Sequence, residues 1–177
     1  CWRSGATTPG NLDTVSIDVN DGAAAVNGIT ITAPVLAGVE TLNLTATDNI
    51  TVTALTSATA LTNVNVSGAG TTSITTGALA LNANTVINAS AVTGTVTVDA
   101  VLSTANGVTI VGSATKANTI TGNALGSVLT GGAADDVITG GALNDIITGG
   151  EGNNTLAGAA GANSCLCAPC SGDRGSP

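Results

Sequence analysis

The sequence predicts an all-β fold, a single right-handed parallel β-solenoid without a significant helix, and three observations lead to this prediction. First, residues 122–157 repeat every nine residues, as GNALGSVLT, GGAADDVIT, GGALNDIIT and GGEGNNTLA. A strict short period is typical of stacked coils. Second, the preceding region alternates apolar and polar residues in short runs. Third, the chain has no Phe, Tyr or Met and one Trp, so its core must consist of thin aliphatic layers.

The alternating region runs from residue 13 to about residue 100 and includes TVSIDV, GITITA, ETLNLTA, NITVTA and GTVTVDA. Such period-two runs between Gly, Asn and Asp breaks are strand signals. Their apolar residues recur at irregular steps of about eight to twelve residues, as expected for coils with corners of variable length. These residues are Leu42 and Leu44, Ile50 and Val52, Val64 and Val66, Ile74, Leu79 and Leu81, Val96 and Val98, and Val108 and Ile110. A β-sandwich is the alternative. The chain, however, has few of the Asn-Gly or Asp-Gly turns that sandwich hairpins use, and it lacks an aromatic core.

The nonapeptide region places one aliphatic residue on an inward rung in each unit. The five predicted rungs are Ile120, Leu129, Ile138, Ile147 and Leu156. Burying each of them contributes roughly 1.5–3 kcal/mol, which is substantial for a narrow solenoid.

Changes in composition and residue pattern divide the chain into four segments. We expect an irregular N-terminal segment at 1–12, an irregular solenoid at 13–112, a regular nonapeptide roll at 113–163 and an irregular tail at 164–177. The cysteines lie only near the ends, at Cys1, Cys165, Cys167 and Cys170. They allow a zinc or disulfide clip between the termini, but ends foreign to the fold are the favoured interpretation. The start at Cys1 suggests a fragment of a longer protein.

The charge of the chain argues against several classes of function. Its net charge is −8, and its basic residues, Arg3, Lys116 and Arg174, lie far apart. Nucleic acids and anionic membranes require clustered Lys and Arg, so neither is an expected partner. No apolar run approaches the roughly 20 residues of a membrane helix. We expect no enzyme activity, because the chain has no His and no nucleophile elbow or metalloprotease motif.

The units GGAADDVIT, GGALNDIIT and GGEGNNTLA resemble the RTX (repeats-in-toxin) family of secreted proteins, which are calcium-binding parallel β-rolls exported by type I secretion systems. The preceding phrases GVETLNLTATDN and TIVGSATKANTITGNA are similar to Gram-negative surface-layer proteins that end in RTX repeats. The resemblance implies that six residues of each unit form a turn and three form a strand, and that units two apart stack on one side. It also implies that calcium lies between stacked turns, held by backbone carbonyls and the sixth-position Asp.

Applied to this sequence, the resemblance places Asp136 and Asp145 at the ligand position. The same position holds Ser127 and, as neutral candidate ligands, Asn118, Asn154 and Asn163. One side then stacks residues 118, 136 and 154, and the other stacks 127, 145 and 163, so no two stacked turns both carry a carboxylate at this position. Asp135 and Glu151 are candidates for extra oxygens.

The resemblance also assigns glycine pairs to the turns, where they permit left-handed backbone and a close approach to the ion. These glycines are Gly131, Gly132, Gly140, Gly141, Gly149 and Gly150. The fourth-position Gly is replaced by Leu125, Ala134 and Leu143 and survives at Gly152. We therefore expect one to three weakly bound Ca²⁺ ions, in the micromolar to millimolar range. The alternative is a calcium-free roll held by its aliphatic rungs.

These observations predict an extracellular structural protein, part of a bacterial surface-layer or adhesin-type protein in which calcium promotes folding and assembly. We expect a secreted or cell-surface location, self-association into a lattice or filament, and a cell-surface glycan as a further candidate partner. One alternative is a calcium-binding export module of a larger secreted enzyme or toxin. Another is a filament-forming or ice-binding solenoid, suggested by the ninth-position residues Thr121, Thr130, Thr139 and Thr148, although strand preference also explains these threonines.

Overall fold

The computed structural model of the chain describes residues 13–20, 28–32, 34, 36–55, 60–76, 84–103 and 107–167. Every regular element in these residues is a β-strand. They contain no helix with the length and apolarity needed to span a membrane. The strands are β1 (Thr14–Val19), β2 (Ile29–Thr32), β3 (Thr41–Ala46), β4 (Ile50–Leu55), β5 (Asn63–Gly68), β6 (Thr72–Thr76), β7 (Val86–Val92), β8 (Val96–Asp99), β9 (Val108–Val111), β10 (Asn118–Thr121), β11 (Ser127–Gly132), β12 (Val137–Gly141), β13 (Ile146–Gly150), β14 (Thr155–Ala159) and β15 (Ser164–Cys167).

The strands form two parallel sheets between which the chain alternates. The odd-numbered strands form an eight-stranded sheet, and the even-numbered strands form a seven-stranded sheet, each in chain order. All neighbouring strands in both sheets are parallel. Each coil of the chain therefore adds one strand to each sheet. This confirms the predicted parallel β-solenoid, and the absence of hairpins among the described strands excludes a sandwich.

The coils are shortest in the nonapeptide region. Before it, strand partners on the seven-stranded sheet are 21, 22, 24 and 22 residues apart from β2 to β10. Hydrogen-bonded residues at the same place in successive coils are 27 residues apart at Ser16 and Asn43, and 22 residues apart at Asn43 and Asn65. In the nonapeptide region the separation is 18 residues, two repeat units. The strands keep similar lengths throughout, so the residues that are lost come from the corners.

The core consists of aliphatic rungs that point inward from both sheets. Ile120 and Ile138 pair with each other in the seven-stranded sheet, and Leu129 and Ile147 pair in the eight-stranded sheet. These four side chains are fully buried, and Leu156 is partly buried against them. The predicted rungs are therefore confirmed. The earlier strands contribute rungs in the same way, including all of the predicted residues from Leu42 to Ile110 except Leu79 and Leu81, which lie outside the described residues.

The structure describes part of only one of the two ends that were expected to be irregular. The segment 1–12 lies outside the described residues. At the other end, β15 occupies the first four residues of the expected tail, where it pairs with β13 and continues the solenoid. The remainder of that tail, 168–177, also lies outside the described residues.

Candidate calcium site

The sixth-position residues of the nonapeptide units form two columns of side chains, one leading into each sheet. In one column, the main-chain N–H of Asn118 donates to Oδ1 of Asp136 at 2.7 Å, and the N–H of Asp136 donates to Oδ1 of Asn154 at 2.9 Å. In the other, the N–H of Ser127 donates to Oδ1 of Asp145 at 2.7 Å. Each bond joins residues 18 apart, so each sixth-position side chain holds the coil before it on the same side.

Asp136 lies inside the turn, with its side chain 1% exposed. Its carboxylate accepts three hydrogen bonds: from the main-chain N–H of Asn118, from Nδ2 of Asn118 at 2.8 Å, and from the N–H of Gly132 at 2.7 Å. A carboxylate offers about four lone-pair positions, so about one acceptor position on the Asp136 carboxylate is left without a hydrogen bond.

Asp145 occupies the equivalent place on the opposite side and is also 1% exposed. Its Oδ1 accepts the N–H of Ser127, and its Oδ2 accepts the N–H of Gly141 at 2.6 Å. Among the described residues the only basic side chain is Lys116, which is exposed. Both buried carboxylates are thus held by neutral N–H donors, and no cationic side chain forms an ion pair with either of them within the described part of the chain.

The space above the first glycine of each Asp unit is bordered by oxygen atoms of two stacked coils. A Cβ built on Gly131 would collide with Oδ2 of Asp136 and would lie 2.5 Å from the carbonyl oxygen of Gly149. On the other side, a Cβ on Gly140 would collide with Oδ2 of Asp145 and lie 2.7 Å from the carbonyl oxygen of Gly158.

This arrangement of oxygens fits a calcium ion chemically. Calcium is a hard cation that binds carboxylate and carbonyl oxygens, and each position combines one carboxylate with a carbonyl of the next coil. No group of three or more acidic, Cys or His side chains able to hold a metal occurs in the described residues, so neutral oxygens such as backbone carbonyls would complete the coordination. A bound ion would supply positive charge to the buried carboxylate and connect the two coils.

The sixth-position asparagines close their turns with their own amide groups. Nδ2 of Asn154 donates to the carbonyls of Gly150 at 3.3 Å and Glu151 at 3.1 Å, while its Oδ1 holds Asp136. Asn163 donates in the same way to the carbonyls of Ala160 and Gly161. Asn118 donates to those of Ser113 and Lys116. In these units the amide hydrogens thus bond turn carbonyls that the carboxylate of an Asp unit cannot bond.

The glycine pairs differ from their expected role. They were expected in turns with left-handed backbone, but five of the six lie in strands and have no positive φ: Gly131, Gly132, Gly140, Gly141 and Gly149. That expectation is wrong for these five positions. Glycine is required there because neighbouring groups approach closely, and a Cβ would collide with a sixth-position side chain or with the backbone of the adjacent coil. Gly150 does have a positive φ, of 86°, as does the fourth-position Gly152, at 90°.

A second set of side chains in the turns was not anticipated from the sequence. Oδ1 of Asp135 accepts the N–H of Asn153 at 2.7 Å, and Oδ1 of Asn144 accepts the N–H of Ala162 at 2.8 Å. These fifth-position side chains hold the following coil, whereas sixth-position side chains hold the preceding one. The signal was present as Asp135 and Asn144, which hold the fifth position of consecutive units. Glu151, the other candidate for an extra oxygen, is exposed.

Two of the four cysteines of the proposed clip lie within the described residues. Cys165 is exposed on β15, at a position in register with the inward Ile147. Cys1 and Cys170 lie outside the described residues.

Comparison with known families supports the assignment of the repeats. The family model of the RTX calcium-binding nonapeptide repeat, which spans four copies, matches residues 115–146 and 130–165. Residues 115–165 are RTX-type repeats. RTX nonapeptide repeats bind calcium, so the matched region is a calcium-binding module. It coincides with the 18-residue coils and with both buried carboxylates. No curated protein and no solved structure matches the chain.

Proposed function

We propose that this chain is part of a secreted structural protein of a Gram-negative bacterium, of surface-layer or adhesin type, in which calcium drives folding and assembly. RTX repeat proteins are typically secreted by such bacteria, which supports the location. The observation that carries the proposal is the pair of buried carboxylates, each facing a carbonyl oxygen of the next coil.

Calcium would favour folding because the folded solenoid buries negative charge, which a bound cation would neutralise. Removing an ionised carboxylate from water is costly unless another charge compensates it. Asp136 and Asp145 become buried only when their coils stack, and a net charge of −8 adds to the electrostatic repulsion. An ion that binds only the stacked coils stabilises them by mass action. We assign one ion to Asp136 and the Gly149 carbonyl, and a second to Asp145 and the Gly158 carbonyl.

An exposed aliphatic patch on the RTX coils supports self-association. Val128 and Ile146 are in register on the outer face of the eight-stranded sheet and are 37% and 50% exposed. Leu125 and Leu143 hold the same place in the turns that lead into these strands and are 38% and 51% exposed. Contiguous exposed apolar residues typically mark protein contact sites. We assign this patch to contact with a second copy of the chain.

A calcium-binding export module of a larger secreted protein is the second candidate. The observation in its favour is that the RTX match is confined to residues 115–165, with regular 18-residue coils. Such a module would fold with calcium and remain monomeric.

Calcium titration of the purified chain separates these candidates. Circular dichroism follows strand formation, and light scattering with electron microscopy follows assembly. The proposal expects a gain of β signal followed by sheets or fibres. Ile146→Lys should fold but fail to assemble, while Val137→Lys, a matched exposed position on the other sheet, should do both. A compact monomer at all calcium concentrations would contradict assembly and favour the export module. An unchanged β signal would refute calcium-driven folding.

A further inference from the structure

The outer face of the seven-stranded sheet carries two rows of outward residues, mostly threonine, that run across the whole sheet. Each strand contributes two outward residues separated by one inward residue: TIT at 30–32, TVT at 51–53, SIT at 73–75, TVD at 97–99, TIT at 119–121, VIT at 137–139 and TLA at 155–157. The strand registers bring these segments into line, apart from a bulge in the second row between Thr53 and Thr75. Ten of the fourteen outward positions are Thr. We call this surface the threonine face.

The other sheet does not show the same composition. Its corresponding two rows contain five Thr in sixteen positions, and the rest are mainly Asn and aliphatic residues. Thr favours exposed strand positions in either sheet, so strand preference would enrich both faces alike. The difference between the faces therefore calls for a cause that acts on one surface only.

Hydrogen bonding also distinguishes the two faces. On the eight-stranded sheet, outward side chains bond each other, as when Nδ2 of Asn65 donates to Oδ1 of Asn43 at 2.9 Å. Within the described residues, none of the ten threonine hydroxyls of the threonine face bonds another protein group. These hydroxyls are available to water, and each can donate one hydrogen bond and accept two.

The threonine face also has a regular spacing and little charge. Rows on adjacent strands repeat at about 4.8 Å, and outward residues along one strand repeat at about 6.7 Å. These two distances approximate the oxygen repeats on a prism plane of ice. Threonine is stiff at χ1, and the buried rungs beneath hold the strands in place, so the array is preorganised. Asp99 is the one charged side chain in the two rows.

We propose that the threonine face binds ice. The methyl groups and hydroxyls together hold a layer of water in a spacing that matches the crystal, and this layer joins the protein to the ice surface. The ligand is frozen water rather than a glycan, because a uniform, almost uncharged array offers no directional pattern for sugar hydroxyls. The proposal is independent of calcium-driven assembly, except that the RTX coils must be folded.

The register shows which residues an ice-binding surface would depend on. The ninth-position threonines form one short outward row on each sheet. Thr121 and Thr139 lie on the threonine face, whereas Thr130 and Thr148 lie on the opposite sheet. The continuous array draws on every even-numbered strand, with Thr-x-Thr in β2, β4 and β10 and one outward Thr in each of the other four. Four of these seven strands lie outside the RTX coils.

The test uses the full chain folded in the presence of calcium, with thermal hysteresis and ice recrystallisation as readouts. The wild type should show both hysteresis and inhibition of recrystallisation. Thr97→Lys combined with Thr119→Lys, on adjacent strands of the threonine face, should lose most of both. Thr109→Lys combined with Thr130→Lys is the matched control on the other sheet and should retain them.

Circular dichroism establishes that each variant is folded before it is compared. A folded wild type without activity in either assay overturns the proposal, whatever the variants do. Equal loss of activity in the two pairs of variants also overturns it, because the effect would then not belong to the threonine face.

Discussion

Asp136→Ala tests the role of a buried carboxylate both with and without calcium. In calcium-free solution the substitution removes the acceptor of three hydrogen bonds from two residues. Nδ2 of Asn118 can remain bonded to the carbonyls of Ser113 and Lys116, so two buried main-chain N–H groups lose their partner. Hydrogen bonds to a charged group are worth about 1.5–3 kcal/mol each, and removal of the buried negative charge offsets part of that loss. We expect a net destabilisation of about 3 kcal/mol.

The matched control is Asp135→Ala, which makes the same change in charge at the adjacent position. Asp135 is exposed and accepts one hydrogen bond, from Asn153. Its substitution should cost less than about 1 kcal/mol. Urea unfolding followed by circular dichroism, in EDTA, measures both values. Equal stabilities of the two variants would refute the role assigned to the Asp136 hydrogen bonds.

The calcium arm of the same experiment tests the ligand assignment. A site filled at 100 times its dissociation constant adds about 2.7 kcal/mol to the free energy of unfolding. The wild type, with two proposed sites, should gain about twice as much as Asp136→Ala at the same calcium concentration. Asp135→Ala should keep the wild-type increment, because the exposed Asp135 carboxylate bonds the N–H of Asn153 and belongs to neither of the two assigned sites. An undiminished increment in Asp136→Ala would show that this carboxylate is not a ligand.

Three further substitutions test other parts of the solenoid. Ile138→Ala, at a fully buried rung, should lower the free energy of unfolding by about 2–5 kcal/mol in urea titrations, and a loss below 1 kcal/mol would contradict tight packing of the rung. Asn154→Asp removes the amide that bonds the carbonyls of Gly150 and Glu151, so it should lower the melting temperature in EDTA and increase the rise produced by calcium; a smaller calcium response would be the contrary result. Thr72→Val replaces a buried hydroxyl that has no hydrogen-bond partner, and it should raise the melting temperature by an amount equivalent to about 1 kcal/mol, whereas a decrease would indicate that the hydroxyl is satisfied.

The rungs and the columns of sixth-position side chains were predictable because they follow from a period. When two units make one coil, residues nine apart lie on opposite sheets and residues 18 apart stack. That arithmetic placed Ile120, Leu129 and Ile138 inward, and it placed Asp136 between Asn118 and Asn154, as the hydrogen bonds show.

Other features depended on geometry that a period does not contain. The directions of the fifth- and sixth-position side chains depend on the dihedral angles of the turn backbone. The period places Asp135 and Asp136 in the turn, but it does not say which coil each side chain reaches. Similarly, the threonine face requires the alignment of coils that are 21 to 24 residues long with coils of 18 residues, and their corners are irregular. The threonines were visible in the sequence, but the rows were not.

The shortening of the coils also gives the fold a preferred starting point. Ordering one residue costs about 1–2 kcal/mol in backbone entropy. A coil of 18 residues therefore loses less conformational entropy on folding than a coil of 27 residues. We expect the first stable nucleus in the RTX coils, from which winding propagates towards the N-terminus. Hydrogen exchange should then show its deepest protection in β11, β12 and β13, and uniform protection along the solenoid would contradict this direction of growth.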